Sequence, residues 1–93
     1  MSETDQKLAV AVAQFAPGND SEANLVEVRD LATEAAQRGA KLVVFPEYSS
    51  YFVPELGPEA VAAAEAIDGP FATALGALAK VLGIHIVAGM LEL

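Results

Sequence analysis

The chain has 93 residues, enough for one domain. Five basic residues against thirteen acidic ones give a formal charge of −8, which excludes the basic face that nucleic acid and anionic membranes require. An apolar fraction of 54% with 19% charged excludes a disordered tail, and the absence of cysteine excludes disulfides, thiolate metal sites and a cysteine nucleophile within these residues.

The first six residues, Met1 to Gln6, are polar and acidic and are expected to be disordered. Lys7 to Phe15 (KLAVAVAQF) is a near-continuous apolar run that stops at Pro17-Gly18-Asn19, which predicts a strand buried on both faces. Asp20 or Ser21 can cap the helix that follows, with Glu22 in its first turn. Leu25, Val28, Ala32, Ala35 and Ala36 then recur at helical spacing, Arg38 falls in the last turn and Gly39 is the stop. Lys41 to Phe45 (KLVVF) predicts a second buried strand, ended by Pro46, which has no N–H to give to a ladder. Glu47 to Gly57 reads as a loop carrying Tyr48, Tyr51 and Phe52. Pro58 opens an alanine-rich helix to about Ile67, Phe71 to Leu82 form another that Gly83 stops, and Ile84 to Met90 predict a third strand.

The order is βα-βαα-β, an α/β fold class with parallel pairing and right-handed crossovers. Three apolar strands have more face than two or three helices can cover, and both sheet edges are open. The 93 residues are therefore expected to be a single partial domain, the front part of a larger fold. The apolar stretch from Phe71 to Leu91 carries Lys80 at its middle and three glycines, so no membrane span is expected. The N-terminus lacks the pattern of a signal peptide, and a cytoplasmic location is expected.

In open parallel sheets, ligands gather at the carboxyl ends of the strands. Gln14 to Asn19, after the first strand, holds one glycine and neither nucleotide-binding pattern, so no nucleotide cofactor is expected. One histidine, His85, gives no metal-ligand set, and it reads as a core or subunit-contact residue. Ser49 and Ser50 lie outside any G-x-S-x-G setting. Glu47 is the informative residue, because it follows an apolar strand and a rigid proline and is flanked by aromatics. A carboxylate partly desolvated at such a rim suits general-base work, while the plain alternative is a solvated glutamate capping a nearby N–H. Tyr48, Tyr51 and Phe52 either line a substrate pocket or pack the loop. Glu92, after the third strand, reads as a supporting carboxylate or a solvated terminus.

Lys41-Leu42-Val43-Val44-Phe45-Pro46-Glu47 resembles the first catalytic segment of the carbon–nitrogen hydrolase (nitrilase) superfamily. Leu8 to Phe15 is similar to that family's first strand, and Asn24-Leu25, Ala35-Ala36 and Gly39-Ala40 are similar to its first helix and the turn after it. Gly69-Pro70, Leu78-Ala79-Lys80, Leu82-Gly83-Ile84 and Val87-Ala88-Gly89 continue the likeness, which covers about residues 7 to 93. The resemblance implies the front of an α-β-β-α sandwich and hydrolysis of a small amide, nitrile or carbamoyl compound. It implies a Glu-Lys-Cys triad with no metal or cofactor, and assembly as a homo-oligomer. Glu47 matches the general base. The chain departs from the pattern in having no cysteine, and Lys7, Lys41 and Lys80 are not at the position of the catalytic lysine. It is thus expected to be an amino-terminal fragment without turnover of its own. The competing expectations are a non-catalytic interaction module that pairs with another chain through open sheet edges, and a small α/β domain of unrelated function.

Overall fold

A computed structural model of the chain describes residues 8–55 and 57–92. The expected disorder of residues 1–6 lies outside the described residues, as does Lys7. Three parallel strands, β1 (Val10–Val12), β2 (Leu42–Val44) and β3 (His85–Val87), form one sheet in the order β1-β2-β3. Three helices connect them: α1 (Ser21–Gln37), then α2 (Pro58–Ala63) and α3 (Pro70–Leu82). This is the expected βαβααβ order.

The register aligns Ala11, Val43 and Ile86 across the sheet. Helices α1 and α3 touch each other and cover that face, burying Val28, Ala32 and Ala35 of α1 against Val43, Phe45 and Ile84. Side chains alternate along a strand, so Val10, Val12, Leu42, Val44, His85 and Val87 belong to the opposite face. That face stays open: Val12 is 71% exposed and Val87 53%. The strands are therefore not buried on both faces as the apolar runs suggested. The two covering helices, α1 and α3, serve one side, and Val10, Val12 and Val87 on the other keep apolar surface in water. His85 lies exposed on this open face, which corrects its reading as a core histidine.

Local chemistry explains the element ends. The Asp20 carboxylate accepts from the backbone N–H groups of Glu22 and Ala23, satisfying two orphan donors of α1. Gly39 and Gly83 follow their helices with φ of +91° and +66°, in the left-handed region where a Cβ is costly. Helix α2 ends at Ala63 rather than near Ile67 because Glu65 is drawn into the sheet. Its N–H donates to Leu91 O at 2.9 Å and it forms a parallel bridge with Glu92. Tertiary pairing there overrides the helix propensity of the alanines. The Glu65 carboxylate in turn accepts the Phe71 N–H at 2.7 Å, at the start of α3. Among the described residues, no helix is long and apolar enough to cross a membrane.

Candidate active site

The carboxyl ends of all three strands converge on the segment 46–52. Phe45 is still in the ladder, its N–H donating to Val87 O at 2.8 Å. Pro46 then ends the strand, and Glu47 and Tyr48 form a tight turn. Tyr48 has φ of +60°, the one non-glycine residue in the left-handed region among the described residues. Such backbone costs about 1–2 kcal/mol and persists where surrounding contacts over-determine it.

Those contacts are specific. Ser49 is fully buried and its hydroxyl donates to Pro46 O at 2.5 Å, closing the turn on itself. The Tyr51 N–H donates to Tyr48 O at 3.1 Å. Ser50, 2% exposed, accepts the Leu91 N–H on its hydroxyl at 3.1 Å, tying the turn to the chain beyond β3. The Phe52 N–H donates to Gly18 O at 2.8 Å, tying it to the loop after β1. Gly89 lies directly against the turn: a Cβ there would stand 2.9 Å from Tyr48 N and 3.0 Å from Glu47 Cα. Only a glycine lets β3's continuation approach this closely.

The Glu47 side chain stands exposed at this rim, so the expected partial desolvation is absent within these residues. A shallow, open depression of about 350 Å³ runs along the ends of β1 and β2 over Val12, Gln14, Phe15, Val44 and Pro46, and stops one residue short of Glu47. Lys41 stands at the amino end of β2, the far end from Glu47, and Lys80 projects from α3 into solvent.

The three aromatics divide. Phe52 is 41% exposed and its ring packs against Tyr48 at 6.0 Å between centroids. Tyr51 is buried, and its hydroxyl donates to Glu59 Oε1 at 2.5 Å, bracing the loop against the first turn of α2. That bond, with burial and the charge of Glu59, pushes the Tyr51 phenol up to about 12. Glu92 is exposed and engaged through its backbone bridge to Glu65.

Four supporting residues escaped the sequence reading as parts of a site: Asn24, Ser50, Glu59 and Gly89. Asn24 had a legible signal. It sits on the stripe Asn24, Val28, Ala32, Ala35 that α1 turns inward, where an amide needs partners.

The parallel α/β sheet, with Glu47 at the carboxyl end of β2, gives the fold class, and comparison with known proteins narrows it to a family. The carbon-nitrogen hydrolase family profile matches residues 9–93, and the chain belongs to that family. It is 42% identical over 83 residues to the proteins named Hydrolase MT0498 and Hydrolase Rv0480c, from two strains of Mycobacterium tuberculosis. The match takes in 89% of this chain and 29% of the length of each of those proteins.

Proposed function

We propose that this chain supplies the general-base portion of a hydrolase acting on non-peptide carbon–nitrogen bonds, with Glu47 as the base. The observation that carries this reading is Glu47 itself, fixed by Pro46 and a braced turn at the carboxyl end of β2, within the family-matched region. The substrate is a small amide, nitrile or carbamoyl compound. Glu47 takes the proton from a cysteine thiol as the thiolate attacks the substrate carbon, and a lysine ammonium stabilises the charge that develops on the attacked group. Glu47 returns that proton to the departing nitrogen, which leaves as ammonia or amine (for a nitrile, only after a water has added to the thioimidate). Glu47, a carboxylate again, then deprotonates the water that cleaves the thioester and hands the proton back to the cysteine sulfur. Cysteine and lysine both come from polypeptide outside these 93 residues. Tyr48 and Phe52, whose rings pack together in the segment that carries Glu47, contact the substrate, and Tyr51 braces that segment through Glu59. No metal or cofactor takes part in this scheme, and the enzyme is a cytoplasmic homo-oligomer.

The open face formed by Val10, Val12, Val44 and Val87 supports a chain that is completed by further polypeptide, and burial there would give Glu47 the desolvation it lacks. The test is turnover of a panel of aliphatic amides, nitriles and carbamoyl amino acids. The whole hydrolase that contains this chain should release ammonia or amine from at least one class, and the 93 residues alone from none. Turnover by the 93 residues alone overturns the reading, because they contain no thiol.

A further inference from the structure

Asn24 lies on the first turns of α1 and is 4% exposed. Its side chain makes three hydrogen bonds. Oδ1 accepts from Gly18 N at 2.9 Å, while Nδ2 donates to Gly18 O at 2.8 Å and to Ser50 O at 3.1 Å. The amide therefore spends both Nδ2 protons and one oxygen lone pair on two loops that are 32 residues apart in sequence, since Gly18 follows β1 and Ser50 follows β2. Ser50 extends the chain of contacts to Leu91 beyond β3. One buried side chain thus joins the ends of β1 and β2, and through Ser50 that of β3.

We infer that Asn24 is a positioning residue for Glu47: it locks the 46–52 turn that aims the carboxylate, although it lies 23 positions away and on another element. This rests on the reading of Glu47 as the general base. The lock is needed because Tyr48 holds a costly left-handed conformation immediately after Glu47. Without the Asn24 amide, the Ser50 carbonyl loses its buried donor and the turn can relax toward ordinary backbone, carrying Glu47 with it. A base must stand within hydrogen-bond reach of the proton it takes, and a displacement of about 1 Å can cost roughly 10²-fold in rate.

The experiment uses the whole hydrolase and a double-mutant cycle of Asn24→Ala with Glu47→Gln. Asn24→Ala should lower kcat by about 10- to 100-fold with KM within about twofold. On the Glu47→Gln background it should lower kcat little further, because the group it positions is gone. Val28→Ala, one turn along α1 in the apolar core, controls for general loosening: it should lower the melting temperature comparably and leave kcat within about twofold. Asn24→Asp keeps the Oδ1 acceptor for the Gly18 N–H and removes the Nδ2 donation to the Ser50 carbonyl; it keeps the test open where Asn24→Ala does not fold, and should lower kcat severalfold at constant KM. Equal losses from Asn24→Ala on both backgrounds, a matching kcat loss in Val28→Ala, or an unchanged kcat in Asn24→Asp where Asn24→Ala does not fold, overturns the inference. If Glu47→Gln alone keeps full activity, the reading beneath it fails first and the inference goes with it. If Glu47→Gln is dead while Asn24→Ala keeps wild-type kcat, the inference alone fails.

Discussion

Among the described residues, Tyr51 carries the clearest electrostatic signature. Its phenol is buried and donates to the Glu59 carboxylate at 2.5 Å. That hydrogen bond favours the neutral phenol, and burial and the Glu59 charge act in the same direction, raising it from 10.0 to about 12. The folded state thus holds the proton more tightly than the unfolded chain. The stability that follows is fully present below pH 10 and is lost as pH rises from 10 toward 12. Following the Tyr51 ¹³Cζ resonance through an alkaline titration should show it moving near pH 12, and Glu59→Gln should bring the midpoint back toward 10. A midpoint near 10 in the unaltered chain would mean the Tyr51–Glu59 bond does not persist in solution. At this scale the sequence was only partly legible. Glu47 stood out because a strand, a proline and aromatics frame it in consecutive positions. Glu59 did not, because its partner Tyr51 lies eight residues away across a loop with no periodicity. The sequence names three aromatics without saying which one faces inward. Packing decided that, giving Tyr51 to the scaffold and leaving Phe52 exposed.

At the scale of elements, the strong local signals held. Asp20 caps α1, Pro58 opens α2 and Gly83 ends α3, while α3 begins at Pro70, one residue before the expected Phe71. These devices act over one turn, so neighbouring residues specify them. Strand length was less legible. The run from Lys7 to Phe15 promises a long strand, but the ladder of β1 is only Val10–Val12, because it pairs along one edge and only as far as β2 runs beside it. The end of α2 was missed for a related reason: the bridge from Glu65 to Glu92 is a contact across 27 residues. The approach of β3's continuation to the Glu47 turn is a contact of the same long-range kind, and it can be tested directly. Gly89→Ala puts a methyl 2.9 Å from Tyr48 N, against backbone that cannot swing aside. Overpacking of this kind costs about 1–3 kcal/mol. Urea denaturation should show a loss in that range, with kcat falling alongside as the turn is pushed away. Stability and kcat both equal to wild type would mean the two segments are further apart than described.

For the whole molecule, the decisive feature is asymmetry between the two faces of the sheet. One face is filled by α1 and α3, and the other presents Val10, Val12 and Val87 to water, with Val44 half-buried among them. The alternation of apolar residues on both faces was visible in the sequence, and so was the shortage of helices to cover them. The exposure of Glu47 was not, because it depends on how the turn after β2 packs, which neighbouring residues do not specify. Under the proposed function, this carboxylate on an open rim, with its supporting turn already built, is the general base. The central claim is therefore that Glu47 serves chemistry rather than folding. Its most direct test is kcat and melting temperature of Glu47→Gln in the whole hydrolase, assayed on its best amide or nitrile substrate. The substitution keeps the shape and removes the charge, so kcat should fall by about 10²–10⁴-fold, the usual contribution of a general base, with the melting temperature within a few degrees of wild type. Activity within a few-fold of wild type, or loss of the folded state, would contradict that claim.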